Sequence, residues 1–285
     1  MSTQGLRHEV VIIGRGLAAL SAAARLTELG VQDVALYAAG LGGTPYIAAV
    51  NFVLPENPYG DTPERYEQDM LLAGYGLGNP TLVHEMAHST LDGYHFLCRW
   101  GVEFSHNEDG SIKLRHLSGH SCPRSLCNTK CLIGREIEEK LTTGLKRKGV
   151  HIYDGCECVR LLTQAGHAAG ITVLRPQTGE IFNVYAPIVI AAWGGVGRLF
   201  GQSTYPADIF GSTLAIAHNA GAKLIDVEFL EYEPMVVKDP PGAVGEPCPT
   251  AMLGEGAYLR NSDGERFLLK VRPQGEGGSP KTLIN

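Results

Sequence analysis

Two glycine-rich turns carry the spacing in this sequence that most directly implies chemistry. Gly14-Arg15-Gly16-Leu17-Ala18-Ala19 follows the apolar run Val10-Val11-Ile12-Ile13, and Trp193-Gly194-Gly195-Val196-Gly197 follows Ile188-Val189-Ile190-Ala191-Ala192. Glycines placed directly after a buried strand let backbone N–H groups approach an anion, and a helix N-terminus behind them adds positive potential, so the first turn predicts a pyrophosphate and hence a dinucleotide. Ala19 stands where the dinucleotide pattern accepts Gly or Ala. One contact of that pattern is missing. The second strand, Val34-Ala35-Leu36-Tyr37, should end near an acidic residue for the adenosine ribose, and Ala38-Ala39 follow instead. An ordinary tight βα turn with no ligand is the plainer alternative.

The elements that must position these turns are legible as hydrophobic patterns. Continuous apolar runs at 10–13 and 188–192 predict strands of a parallel sheet covered on both faces. The stretch from Thr81 to Val102, with Leu82, Met86, Leu91, Phe96 and Leu97, predicts a helix, as does Gly134 to Lys146 with Ile137 and Leu141. The basic run Lys146-Arg147-Lys148 before Gly149 reads as a favourable helix end that complements the dipole. Val150 to Tyr153, Cys158 to Leu162, Ala169 to Val173 and Phe182 to Val184 read as the short strands of a β-meander, with a turn at Pro176 to Gly179. The predicted fold is α/β: a doubly wound, Rossmann-like domain with an inserted meander, whose two glycine turns converge on one crevice.

Composition bounds the function classes. The 285 residues are 44% hydrophobic and 19% charged, enough for a sizeable core in one large or two smaller domains. Thirty acidic against 24 basic residues give a net charge of -6 with no basic stripe, which argues against nucleic acid as a partner. No stretch reaches the roughly 20 apolar residues of a membrane span, and the first apolar run is the glycine-turn strand rather than a leader, so a cytoplasmic location is expected. The seven cysteines, at 98, 122, 127, 131, 156, 158 and 248, are odd in number and scattered, which predicts reduced thiols. Cys122, Cys127 and Cys131 approach but do not match an iron-sulfur spacing. Core packing is the expected role, and no metal is expected.

Beyond the first turn, several segments appear in order that together resemble one family. They are Ala192-Trp193-Gly194-Gly195; Gly221-Ala222 with Asp226-Val227-Glu228-Phe229; Gly254-Glu255-Gly256-Ala257; and Asp263-Gly264-Glu265-Arg266-Phe267. Gly119-His120-Ser121 with Arg124, and Gly134-Arg135-Glu136, add two more. Over nearly its whole length the chain resembles the flavoprotein subunit family of fumarate reductase, succinate dehydrogenase and L-aspartate oxidase. The resemblance implies FAD, held by Gly14, Gly16 and Ala19 at the first turn, Gly42, Gly43 and Thr44 after the second strand, and Gly194 and Gly195 at the later turn. It also places His120, Arg124, Glu231, Glu233 and Glu255 in segments that line the active site, each with surface solvation or a structural hydrogen bond as the alternative.

Departures from the family carry equal information. Pro45 stands where covalent members carry the flavin-linking His, which predicts non-covalent FAD. Asn51-Phe52 replace a glycine pair near the flavin ring, and Phe210-Gly211-Ser212-Thr213 replace Thr-Gly-Asp-Gly. Glu233-Pro234-Met235, preceded by Glu231, stand in place of the His-Pro-Thr that binds a substrate carboxylate. A carboxylate within about 4 Å of another costs on the order of 4 kcal/mol at an effective dielectric near 20, so succinate and fumarate would be repelled. Thr250 and Leu253 replace the proton-relaying Glu and Arg, and the sequence stops about where the family's acid Arg would follow.

The resulting expectation is a FAD-dependent oxidoreductase acting on a substrate other than succinate or fumarate, one that is an amine or a cation. It has an FAD-binding domain over 1–225 and a partial capping domain with a flexible tail over 226–285. A second polypeptide that completes the cap or carries iron-sulfur or haem centres is the implied partner. The alternatives are an electron-transfer subunit of a larger redox complex with no substrate site of its own, or a scaffold that has lost FAD.

Overall fold

The structure, a computed structural model, describes residues 5–117, 119–200, 203–209, 211–232, 235–246, 248, 251–254, 256–271 and 273. In chain order the first elements are β1 (Leu6–Arg7), β2 (Val10–Ile13), α1 (Leu17–Glu28), β3 (Val34–Ala38) and β4 (Val50–Asn51). Three helices follow, α2 (Pro63–Ala73), α3 (Pro80–His88) and α4 (Thr90–Arg99), then β5 (Leu114–Arg115), β6 (Ser125–Leu126) and α5 (Ile133–Arg147). The chain continues through β7 (His151–Asp154), β8 (Glu157–Gln164), β9 (His167–Arg175), β10 (Glu180–Tyr185), β11 (Ile188–Ala191) and α6 (Ser212–Asn219). Its contacts divide it into two compact units, residues 1–47 with 134–230 and residues 48–133 with 231–285.

The first unit is built on a parallel sheet in the order β11-β2-β3-β7. Strand β2 pairs with β3 on one side (Val10↔Val34) and with β11 on the other (Val10↔Ile188), so the direction of winding reverses at β2 and the ends of β2 and β11 open side by side. That is the topological switch point of a doubly wound sheet. Val10, Val11, Ile12 and Ile13 are each at most 3% exposed. Burying four such side chains contributes gross stabilisation of about 1.5–3 kcal/mol each, which is why an unbroken apolar run is required there.

The meander is real but one strand shorter than the pattern suggested. Strands β8, β9 and β10 pair antiparallel, and β1 adds to β10 in parallel. Residues His151–Asp154, expected in the meander, instead pair in parallel with β3 (Ala35↔His151). The strand follows helix α5, and a strand delivered by a helical crossover returns to the parallel sheet; hydrophobic alternation over four residues cannot tell the two destinations apart. The meander closes over the parallel sheet through Ile171, Val173, Val184, Cys156 and Cys158, which share one core with Val11, Ile13, Ala35 and Tyr37.

In the second unit the expected helix from 81 to 102 is two helices that meet at Ser89. Ser89 and Thr90 donate their hydroxyls to Met86 O and Ala87 O, and such side-chain bonds to the backbone compete with helix continuation. Asn79 caps α3 by accepting from Thr81 N, with Pro80 at the first helical position. A small sheet in the order β4-β6-β5 lies in the same unit. Helix α5 matches its expectation, including its basic last turn of Lys146 and Arg147.

Candidate functional site

At the carboxyl ends of β2, β3 and β11 lies a cavity of about 430 Å³. It collects, among others, Gly14, Gly16, Gly42, Gly43, Thr44, Gly194 and Gly195, from three segments distant in the sequence and expected together. Ala19 is not in the lining; it is fully buried, where its small size lets α1 lie close on the sheet.

Backbone geometry explains the glycines. Gly14 has φ +112°, and a Cβ there would lie 2.2 Å from Ala192 O, so only glycine allows β2 and β11 to end this close together. Gly194 and Gly42 also have positive φ, +80° and +69°. Helix α1 starts at Gly16 with no acidic residue in its first turn and no side chain of its own as cap, so its own sequence leaves its positive end to the cavity. Thr44 Oγ1 accepts from Leu17 N at 2.7 Å and so holds the second-strand loop against the start of α1.

Two charged side chains at this cavity escaped the sequence pattern. Arg15, inside the first glycine turn, donates to Asp154 Oδ1 at 2.6 Å and Glu138 Oε1 at 2.8 Å, which ties the turn to the end of β7 and to α5. Its Nε is buried with no protein partner among the described residues. Asp208 Oδ2 lies 3.3 Å from Gly42 N, and a Cβ on Gly40 would fall 2.3 Å from the same oxygen. A carboxylate here accepts from a backbone amide as a bound anion would. Both partners come from distant segments, so no local motif marks them. Among the lining thiols, Cys158 is pushed up to about 11 by burial, which leaves it a protonated, apolar neighbour rather than a nucleophile.

The second cluster of candidates lies in the second unit, around Arg124. Its side chain is fully buried; Nε and Nη2 donate to the two oxygens of Asp61 at 2.9 and 2.6 Å, and Nη1 donates to Asp69. The guanidinium also lies 4.5 Å from the centre of the Tyr66 ring. Burial alone would lower the Arg124 pKa, but the two carboxylates outweigh it and raise it. Burial would likewise raise Asp69, but hydrogen bonds from Ser121 and Arg124 outweigh it and hold the carboxyl below its usual range.

His120 takes a further bond from Arg124 Nη1, 3.2 Å from its Nδ1. An arginine has no lone pair to offer, so Nδ1 is the acceptor and the ring proton sits on Nε2. Burial first, and then the Arg124 charge, lower its pKa to about 4. His120 is thus a neutral imidazole with an Nε2–H donor, and Arg124 is the group that orients it.

The remaining candidates separate. Glu231 is exposed. Glu233 and Glu255 lie outside the described residues. Of the residues that depart from the family pattern, Phe52 turns into the second unit's interior against Tyr94 and Phe104, and Asn51 Oδ1 accepts from Ser125 Oγ across β4 and β6. Leu253 is buried, Thr250 and Phe210 are outside the described residues, and Ser212 and Thr213 line the cavity. All seven cysteines are free; Cys122, Cys127, Cys156 and Cys158 are buried, while Cys98 and Cys131 are exposed.

A doubly wound sheet whose glycine turns make an anion cradle at the switch point defines a dinucleotide-binding protein. The profile of the FAD binding domain family matches residues 9–282, and the chain belongs to that family. FAD is the cofactor class of the fold, and the Gly14, Gly42 and Gly194 turns, which a Cβ would strain or fill, fit a pyrophosphate at α1. The chain is 32% identical over 266 residues to the L-aspartate oxidase of Streptomyces coelicolor, covering 91% of this chain and 46% of that protein. It is 32% identical to the L-aspartate oxidase of Agrobacterium fabrum, covering 93% and 50%. Among solved structures, the Sdh1 of Mycobacterium smegmatis matches with a TM-score of 0.79 at 26% identity, covering 94% of this chain and 47% of that one. A quinol-fumarate reductase chain superimposes with a TM-score of 0.88 at 23% identity, covering 99% and 50%. The chain spans about half the length of the curated relatives it matches. No helix among the described residues is long and apolar enough to cross a membrane.

Proposed function

We propose that this chain is the FAD-binding part of an oxidoreductase of the L-aspartate oxidase and fumarate reductase kind, with FAD held non-covalently in the cavity at the β2 and β11 ends. The observation that carries the reading is the convergence of three glycine turns on the N-terminus of α1, whose first turn holds no acidic residue. Gly14, Gly16, Gly42, Gly43, Gly194 and Gly195 present backbone to the cofactor, Thr44 fixes the loop beside it, and Ala19 lets α1 approach the sheet. Bound FAD would supply the acceptor or donor of a hydride. Support for non-covalent attachment comes from Pro45 at the position of the linking His.

For the substrate, the reading is a small molecule that bears an amine or another cation. Glu231 is exposed, as a group that meets solvent-borne substrate has to be, and a carboxylate there favours a cation over a dicarboxylate. His120 is assigned the handling of a substrate hydrogen bond through its Nε2–H, with Arg124 as a positioning residue; Glu233 and Glu255 complete the proposed set. Leu224, Ile225, Val227, Phe229 and Leu230 are all at least 40% exposed, and a run of this kind supports further polypeptide covering residues 224–230.

The test is the visible absorption spectrum of the purified chain, taken before and after acid denaturation and centrifugation. Oxidised-flavin bands that pass into the supernatant are the expected result. A colourless chain that takes up no added FAD would overturn the proposal. Anaerobic bleaching by an amine panel but not by succinate supports the substrate reading; bleaching only with an added redox partner favours an electron-transfer subunit.

A further inference from the structure

Away from the cavity and from the Arg124 network, helices α2 and α3 bring three ligand-type side chains to one point. His84 and His88 lie one turn apart on α3 with ring centroids 4.1 Å apart, and Glu67 reaches across from α2. Glu67 Oε2 is 3.0 Å from His84 Nδ1 and 3.3 Å from His88 Nε2. One donor atom from each of the three residues lies within 4.8 Å of the others. Both imidazoles are therefore aimed at a single carboxylate oxygen from the same side.

Two imidazole nitrogens and one carboxylate oxygen gathered in this way form a metal-type donor set, with the two rings tilted 31° to one another. Nitrogen and oxygen ligands held at about 2.0–2.1 Å around a tetrahedral ion lie roughly 3.3 Å apart, close to the two nitrogen–oxygen separations found here. The scaffold is fixed independently of any ion. Tyr66, next to Glu67, and Ala87, next to His88, are buried in one cluster with Val53, with Met70 packed against it. Thr62 caps α2 through Arg65 N, and Asn79 caps α3. The site is open to solvent, the side chains of His84, His88 and Glu67 being 53%, 31% and 24% exposed.

We propose that Glu67, His84 and His88 form a site for one divalent transition-metal ion of the zinc class, with a water in the fourth position, which clips α2 to α3. Two imidazoles and one carboxylate suit zinc, and also cobalt, nickel or copper, and disfavour magnesium and calcium, which take all-oxygen shells. No sulfur takes part, which separates this site from the exposed thiols of Cys98 and Cys131.

The test uses the full chain with Cys98→Ser and Cys131→Ser, titrated with Co²⁺ and then with Zn²⁺ in competition with a chromophoric chelator. The expected result is one equivalent of saturable binding, a Co²⁺ spectrum with ligand-field bands and no sulfur-to-metal charge transfer, and a rise in melting temperature with Zn²⁺. His84→Gln with His88→Gln should abolish that binding, and Glu67→Gln should weaken it by about tenfold or more. Circular dichroism checks that these solvent-exposed substitutions leave the fold intact, and the single variants His84→Gln and His88→Gln stand in where the double variant does not fold. Absence of saturable binding at one equivalent overturns the proposal, as does any of these variants binding within about twofold of the parent. Flavin content is read separately, so failure here leaves the FAD reading untouched.

Discussion

The two candidate regions reach specificity by opposite means. The cavity of the first unit is made by backbone: glycines at positive φ, a helix N-terminus and the ends of parallel strands. The Arg124 cluster of the second unit is made by side chains: one buried guanidinium shared by Asp61, Asp69, His120 and the face of Tyr66. A backbone cradle tolerates any neighbour that leaves the turn intact, whereas a buried charge network depends on every partner, because each lost partner leaves an unpaired charge in low dielectric.

The sharpest way to break the comparison is Arg124→Met. It strands Asp61, whose side chain is fully buried, and should cost about 3–5 kcal/mol in a denaturant melt of the full chain. Adding Asp61→Asn should recover part of that loss; no recovery would mean that Arg124 matters through packing rather than charge. Gly14→Ala comes next. Strain at φ +112° accounts for about 1–3 kcal/mol, the overlap with Ala192 O adds to it, and the flavin released per mole of protein should fall while the Arg124 cluster stays folded. Unchanged flavin content in Gly14→Ala would remove the first turn from the cofactor site.

A pH experiment then isolates His120. Its folded pKa of about 4 lies below the usual imidazole value of about 6.5, so the unfolded chain binds the extra proton first. The stability from a neutral His120 is fully present above pH 6.5 and is lost as pH falls from 6.5 towards 4. The loss should be on the order of 2 kcal/mol after allowance for its partial exposure. His120→Asn should flatten stability between pH 6.5 and 4, and a wild-type curve already flat there would contradict the neutral assignment. Asp69, held below its ordinary range, adds stability present above its unfolded pKa and lost as pH falls through the folded one, at more acid pH than the His120 window. The smallest effect belongs to Asp208→Asn, which removes an anion from the Gly40 to Gly42 turn and should tighten FAD binding by about 1 kcal/mol or less in an equilibrium titration.

How much could be read in advance differed between the two regions for the same reason. Gly14, Gly42 and Gly194 could be singled out because each follows a strand pattern that is itself local; all three take a positive φ, and at Gly14 a close backbone approach adds to it. Arg15 and Asp208 could not, since their partners lie 123, 139 and 166 residues away and charged residues in a turn are commonplace. Arg124 was marked only through a resemblance in its neighbourhood. Its partners Asp61 and Asp69, 63 and 55 residues distant, could not be read from that neighbourhood.

By itself the sequence determined the strand-turn-helix of the first glycine turn, the strand before the second, and a dinucleotide site, because apolar periodicity and glycine spacing are properties of a few consecutive residues; the resemblance to a family added FAD. Only the tertiary structure decided that residues 151–154 join the parallel sheet, that 81–102 breaks at Ser89, and that Glu67 meets His84 and His88. Those outcomes depend on which distant groups share a low-dielectric interior or a common helix face, and such long-range pairing leaves no mark on local sequence.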